Sequence, residues 1–166
     1  ASAQGLFSAV ASEWKASADV VSLVLGIVAG IAITVGTLGG GWFTDRVPHR
    51  RAYFLACAAQ ACFALLLLYS PRQPWAFALL TASYTVTAGA CASALTGMSL
   101  ALAKGGAAAT KVSLFLAANT LGGLGMVKAA GWAHDAWGLT GMLGAEAAVA
   151  AVALSAFLYV SRKVLS

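Results

Sequence analysis

Long apolar runs separated by short polar segments dominate the chain. No Asp, Glu, Lys or Arg occurs from Val20 to Thr44 or from Ala52 to Pro71. A helix rises about 1.5 Å per residue, so about 20 apolar residues cross the roughly 30 Å hydrocarbon core of a bilayer. The pattern predicts five membrane-spanning helices, placed at about residues 20–43, 52–70, 75–103, 112–133 and 139–160.

The predicted fold class is therefore all-α, a polytopic membrane bundle of about five helices. Residues 19–166 form this membrane domain, whereas residues 1–18 are too short and too polar to span. An apolar stripe with helical spacing runs through this first segment: Leu6, Phe7, Val10 and Trp14. The segment is either the residual end of a truncated helix or an outer, interfacial stretch with Trp14 at headgroup depth.

Composition supports a membrane protein over a soluble one. The chain is 61% hydrophobic and 9% charged, whereas a soluble domain is about 25% charged. Its net charge of +5 comes from basic residues at the ends of apolar runs, with no basic face and no interleaved aromatic residues. This distribution indicates loops that follow the positive-inside rule and argues against a nucleic-acid partner.

The basic residues also predict the orientation. If the loop around residues 45–51 is cytoplasmic, the inner side carries seven of them: Arg46, Arg50, Arg51, Lys104, Lys111, Arg162 and Lys163. The outer side or the span ends carry Lys15, Arg72 and Lys128. This asymmetry predicts an outer N-terminus and a cytoplasmic C-terminus.

The charged turn between the first two spans resembles a known signature. Its residues are Gly41-xxx-Asp45-Arg46-x-Pro48-x-Arg50-Arg51, and they resemble the G-xxx-D-R-x-G-x-R/K-R/K loop of the major facilitator superfamily. Pro48 stands where the family has its second glycine, so the turn geometry is open to question, because proline holds φ near −65°.

The resemblance implies a place in a larger machine. In that superfamily the motif lies on the cytoplasmic side, between the second and third helices of a six-helix half. The chain would then be the C-terminal half of a twelve-helix transporter without most of its first helix, and its partner would be the N-terminal half. The resemblance also implies that the loop stabilises the outward-facing state as a latch; the alternative is a solvated loop that only sets topology.

A second resemblance is to one branch of that family. Residues 108–119 (AATKVSLFLAAN) and 131–138 (GWAHDAWG) resemble the eleventh-helix region of the peptide/acetyl-coenzyme A transporter branch. That branch includes muropeptide permeases, and it implies the inner membrane of a bacterium as the location.

Two charged residues lie inside predicted spans, where a charge costs at least ~2.5 kcal/mol and so suggests a function. Lys128 and Glu146 fall at similar depth on consecutive helices and could pair. One hypothesis makes Lys128 the counter-charge for an anionic solute and Glu146 a proton carrier. The alternative is that Lys128 reaches the outer headgroups and Glu146 is its structural partner.

Uncharged polar residues and glycines supply further candidates. Gln60 and Asn119, with Thr85, Thr87 and Thr96, could face a solute cavity, although such residues often form interhelical hydrogen bonds. Gly122, Gly123 and Gly125 could form a gate where a helix bends, or could serve close packing. Gly26-xxx-Gly30 predicts a close helix–helix contact.

The remaining chemistry-bearing residues predict no catalysis. Cys57, Cys62 and Cys91 lie in apolar runs without metal-ligand spacing and are interpreted as small packing residues. His134 and Asp135 are expected in a polar turn, residues 134–138, where they cap helix ends. Neither a metal site nor a cofactor is predicted.

The sequence thus predicts a secondary transporter rather than an enzyme. It would move a small organic solute across the bilayer by alternating access, coupled to a proton gradient, since the chain has no nucleotide-binding P-loop. The rival hypothesis is a polytopic membrane subunit with a structural or assembly role and no transport activity.

Overall fold

The computed structural model describes residues 11–15, 17–103 and 107–163. Throughout these ranges the regular structure is helical and contains no strand. The predicted all-α fold class is therefore confirmed. Residues 1–10, including Leu6, Phe7 and Val10 of the proposed first stripe, lie outside the described part of the chain.

The helices follow the apolar runs closely. After a 3₁₀ turn at Ala11–Trp14 come α1 at Ala18–Arg46, α2 at His49–Tyr69 and α3 at Pro74–Leu102. A continuous helical stretch, Ala108–Lys163, changes direction at Gly138. It is treated below as α4, Ala108–Gly138, and α5, residues 139–163.

Within the described residues, four helices are long and apolar enough to cross a membrane, namely α1, the His49–Leu67 part of α2, α3 and α4. They indicate an integral membrane protein. α3 has 29 residues, or about 44 Å at 1.5 Å per residue, which exceeds the bilayer core and requires tilt or emergence from it.

Local chemistry explains where the helices begin. Ser17 caps α1, because its side chain accepts a hydrogen bond from the Val20 amide at 3.4 Å. α3 begins with Pro74 in its first turn, where the missing N–H costs nothing. α1 also contains one π-helical stretch, Val24–Val28, of the kind that often marks a functional position in a helix.

The structure reduces the predicted polar turn at residues 134–138 to its last residue, Gly138. His134 and Asp135 lie within α4, which stays helical until Gly138. Gly138 adopts φ 64° and ψ −155°, a region open almost only to glycine. No proline precedes it in α4, so the helix extends through the polar residues and changes direction at Gly138.

The tightest packing in the bundle joins α1 to α3. α1 buries a stripe of small residues at every fourth position: Ala32, Gly36, Gly40 and Thr44. A side chain at Gly36 would collide with the backbone of Val86 on α3, and one at Gly89 would come within 2.5 Å of the Ile33 carbonyl oxygen. The two backbones can approach this closely only because glycine faces the neighbouring helix from both sides.

The glycine pair predicted for this role is a different one. Gly26 and Gly30 have no atom within 4 Å of an added Cβ, so they make no close helix contact among the described residues. They border a shallow, mostly apolar depression beside Ile33 and Thr85. The small-residue pattern occurs on two faces of α1, and only the face with the longer stripe meets α3.

The helix order places α2 and α3 in the middle. α3 contacts α1 most extensively and α2 next, and α2 also packs against the α4–α5 segment. A buried cluster holds the end of the bundle near the α2–α3 turn; its largest members are Trp14, Leu67, Phe77, Tyr84, Met142 and Leu143. Trp14 is 1% exposed and is a core residue in this structure rather than a headgroup anchor.

Trp14 is held there by three contacts. Its indole N–H donates to the Ser70 hydroxyl at 3.1 Å, and its ring lies 5.8 Å from that of Phe77. The Arg72 guanidinium stacks over the indole at 4.6 Å. The segment before α1 thus closes one end of the bundle.

The close α1–α3 contact yields a test with an internal control. Gly36→Ala should lower the stability of the protein by about 1–3 kcal/mol, as overpacking does, because its methyl group meets backbone atoms that cannot move aside. Gly39→Ala, on an open face of the same helix, should leave stability unchanged or slightly raised. Unfolding in mixed micelles, followed by tryptophan fluorescence, measures both. Equal stability of the two variants would contradict the packing described here.

Candidate functional site

A cleft of about 320 Å³ lies between α2, α3 and α4. Its walls are lined by Tyr53, Cys57 and Gln60 from α2, by Ala88, Cys91, Ala92 and Leu95 from α3, and by Asn119, Gly122, Gly123 and Met126 from α4. No Asp, Glu, Lys or Arg is among these residues. The cleft is therefore a mostly apolar space with a few uncharged polar groups.

The cleft arises because α2 and α4 approach each other with matched faces. On α2, the residues that line the cleft and then the core are spaced alternately by four and by three positions: Tyr53, Cys57, Gln60, Ala64 and Leu67. α4 repeats the same steps with Asn119, Gly123, Met126, Ala130 and Ala133. Such 3–4 spacing places each set on one helix face, so two parallel helices meet along corresponding stripes.

The two stripes close at one end and separate at the other. Ala64, Leu67, Ala130 and Ala133 are buried, so the helices are packed near the Trp14 cluster. Residues 113–121 of α4 are all exposed, so this part of α4 stands apart from the described remainder of the chain. The cleft consequently opens toward the side of the bundle that carries the 45–51 loop.

Four residues predicted for a solute path or gate meet in this cleft. Gln60 and Asn119 supply amide groups from facing helices, and Gly122 and Gly123 form the α4 wall beside them. Each amide can both donate and accept hydrogen bonds. The arrangement can therefore bind an uncharged polar group without burying a charge.

Two predicted residues are placed elsewhere or not described. Lys128 is exposed on α4 and is not part of the cleft lining. The side chain of Glu146 lies outside what the structure describes, so the proposed pairing of Lys128 with Glu146 stays a prediction.

The glycines of α4 do not bend it. Gly122, Gly123 and Gly125 lie within a helix whose backbone departs from helical values only at Gly138. An added Cβ at any of the three would meet no atom within 4 Å. Close packing against the described residues therefore does not account for them. Gly122 and Gly123 line the cleft, where the absence of side chains leaves room on the α4 side.

The threonines proposed for the cavity satisfy their hydroxyls within their own helix. Thr85 donates to the Thr81 carbonyl at 2.8 Å, Thr87 to that of Tyr84 at 2.8 Å, and Thr96 to that of Ala92 at 2.9 Å. These local bonds are common for threonine in apolar helices.

The sequence interpretation missed the thiol pair in the cleft wall. Cys57 on α2 and Cys91 on α3 place their sulfur atoms 3.7 Å apart, and both side chains are half-buried. Cys62, considered with them as a packing residue, is exposed on another face of α2. Cys57 and Cys91 are 34 residues apart, so no local spacing signals their contact, although the four–three stripe on α2 marks Cys57 as inward-facing.

The charged loop at residues 45–51 forms a tight connection between α1 and α2. Val47 is extended at φ −121° and ψ 143°, as expected before a proline. Pro48 adopts φ −49° and ψ 127°, and its carbonyl accepts the amides of Arg51 at 2.8 Å and Ala52 at 3.1 Å. The turn uses a negative φ at this position, so proline is compatible with it.

The charges of the loop point to solvent. Arg46 stacks on the Trp42 ring at 3.7 Å, which anchors it to its own helix. Asp45, Arg50 and Arg51 are exposed, and within the described ranges Asp45 has no ion-pair partner. Gly41 carries no neighbour within 4 Å of an added Cβ. The latch contact implied by the family resemblance is thus not formed between the described parts of this chain.

Comparison of the chain with protein-family models, with curated proteins and with solved structures finds no match in any of the three.

The turn geometry predicts the effect of replacing Pro48 by the glycine that the family motif has at this position. Pro48→Gly should lower the unfolding free energy by about 0.4–1 kcal/mol, because glycine frees the unfolded chain without relieving any strain in the folded turn. Pro48→Ala should lie between the two. Denaturation midpoints in detergent measure the series, and a Pro48→Gly protein more stable than the parent would show that the turn favours a glycine conformation.

Proposed function

We propose that the chain is part of a secondary transporter of the major facilitator type, which moves a small organic solute by alternating access. The observation that carries the proposal is the cleft between α2, α3 and α4, with Gln60 and Asn119 on its facing walls. The depression beside Gly26 and Gly30 has a similar volume, about 300 Å³, but no amide side chain lines it.

The lining chemistry supports a small solute. Ligand pockets typically enclose about 300–1,000 Å³, with apolar walls and a few polar groups that fix orientation. The cleft, at about 320 Å³, falls at the lower end of that range. Both amides line the same cleft from different helices, so one solute in the cleft can contact both.

The packing supports access from one side at a time. At the Trp14 end, the buried cluster around Phe77, Met142 and Leu143 seals the bundle. At the loop end, the first half of α4 stands free of the other described helices. A bundle that is sealed on one side of a midplane site and open on the other has the form that alternating access requires.

The glycine contacts identify which parts would move. Interdigitated backbones join α1 and α3 through Gly36 and Gly89, and such a pair moves as one body. α4 meets its neighbours through small, open positions and is the helix free to rock. The orientation predicted from the basic residues makes the open side cytoplasmic, at the C-terminal side of a bacterial inner-membrane protein.

Lys128 gives independent support for a water-filled or protein-covered face on α4. It lies ten residues before Gly138, or about 15 Å along the helix, and it is exposed. A lysine facing lipid at this depth costs about 2.5–3.5 kcal/mol. Facing an aqueous path, or the other half of a transporter, it avoids that cost.

The rival function, a membrane subunit that does not transport, makes a different use of the same surface. In that case the exposed part of α4 would bind a neighbouring protein permanently, and the cleft amides would have no solute to bind. Uptake measurements separate the two hypotheses.

Transport should depend on the cleft amides. With the complete protein in proteoliposomes, radiolabelled neutral solutes such as a dipeptide and an N-acetylated sugar are screened with and without an inward proton gradient. For a transported solute, Asn119→Leu should slow uptake at low concentration by about 2- to 10-fold, the value of one lost hydrogen bond. Asp45→Asn should also slow uptake while leaving membrane insertion intact.

The matched control is the neighbouring residue. Thr120 is exposed and donates only to the Leu116 carbonyl of its own helix, so Thr120→Val should transport like the parent. Equal uptake by Asn119→Leu and Thr120→Val would remove the cleft from the pathway. Absence of gradient-driven uptake for every solute, with correctly inserted protein, would favour the subunit without transport activity.

A further inference from the structure

Three sulfur-containing residues line one cleft. Cys57 and Cys91 approach to 3.7 Å between their sulfurs, from α2 and α3, and Met126 lines the same space from α4. Both cysteines are free thiols. The proposed transport of an organic solute assigns no role to any of these three side chains.

The spacing of the two thiols suits a shared metal ion. A metal–thiolate bond is about 2.3 Å long. Two sulfurs bound to one ion are then about 3.8 Å apart in tetrahedral geometry and about 4.0 Å apart in trigonal geometry, by the same bond length. The observed 3.7 Å is close to both values, so the thiols can chelate an ion with little movement of either helix.

We propose that Cys57, Cys91 and Met126 form a binding site for a soft monovalent cation, Cu(I) or Ag(I). Thiolate and thioether ligands select such ions over harder ones. Within the described residues no group of three or more His, Cys, Asp or Glu side chains comes together, so the four-ligand set typical of structural zinc is not present there.

The binding step exchanges protons for the metal. Cysteine binds a metal as the thiolate, so coordination by Cys57 and Cys91 releases two protons, while the Met126 thioether stays neutral. No oxidant or reductant takes part, because the metal keeps its oxidation state and only protons leave.

The site goes beyond the proposed transport of an organic solute, and it can be tested without an uptake assay. The purified full-length protein, in detergent and under anaerobic reducing conditions, is titrated with Cu(I) against a colorimetric Cu(I) chelator. The expected result is one tightly bound Cu(I) per chain. Cys57→Ser and Cys91→Ser should each abolish this binding, and Met126→Leu should weaken it.

Cys62 provides the control on the same helix. It is exposed and away from the pair, so Cys62→Ser should bind Cu(I) like the parent. Unchanged binding in Cys91→Ser or in Met126→Leu, or an equal loss in Cys62→Ser, would overturn the three-sulfur site.

A second measurement needs no variant. X-ray absorption of the unaltered protein loaded with Cu(I) or Ag(I) should show a coordination shell of sulfur alone, and a shell dominated by nitrogen or oxygen would equally overturn the proposal. Because neither readout depends on transport, loss of the metal site and failure of the transport hypothesis are distinguishable.

Discussion

The close approach of α1 and α3 is the contact on which the rest of this bundle depends. In a membrane, apolar side chains do not drive helices to associate, because lipid tails are as apolar as leucine. Association therefore rests on fit, and here the fit comes from glycines at Gly36, Gly40 and Gly89 that admit a neighbouring backbone. With α1 and α3 joined, α2 is held on the other side of α3, and α2 in turn presents the stripe that α4 meets.

That stripe explains why the cleft has its position and its chemistry. The two parallel helices match along steps of four and three, but the residues at matched levels differ in kind. Ala64 and Ala130 are small and apolar and pack tightly at one end, whereas Gln60 faces the cleft beside Asn119 and Met126. Polar groups at the matched positions are better satisfied by water or a solute than by dry contact. The kind of residue at each matched position therefore determines which end of the bundle is packed and which end is open.

Much of this architecture could be predicted from the sequence, because a membrane requires long apolar helices and penalises charge within them. The apolar runs therefore predict the helical fold class, and the polar residues Gln60 and Asn119 were sensible candidates for a cavity. Which helix faces meet was harder to predict. Small residues occur at Gly26 and Gly30 as well as at Gly36 and Gly40, and only the three-dimensional fit decides between them. The Cys57–Cys91 contact joins two helices and leaves no mark in local spacing.

The errors have the same physical origin. Residues 134–138 have turn-like composition, yet a helix tolerates polar residues as long as its backbone bonds are kept. The helix therefore continues through His134 and Asp135 and changes direction at Gly138, which takes a positive φ. The exposed residues of the charged loop differ from the expected latch for another reason. Asp45 and Arg50 carry the family-like pattern, but a latch needs a partner surface, and that surface is not among the described residues.

The proposed alternating access requires α4 to move against a rigid α1–α3 pair so that the cleft opens and closes. The direct test is a distance measurement by pulsed electron paramagnetic resonance on the complete protein in liposomes, with Cys57, Cys62 and Cys91 replaced by alanine. One spin-label pair, on the exposed positions Leu55 and Leu114, spans the open end.

A second pair, on Leu23 of α1 and Leu79 of α3, both exposed, reports the rigid contact. We expect at least two populated distances for the first pair, shifting with a proton gradient, and one narrow distance for the second. A single unchanging distance for the Leu55–Leu114 pair under every condition would contradict it.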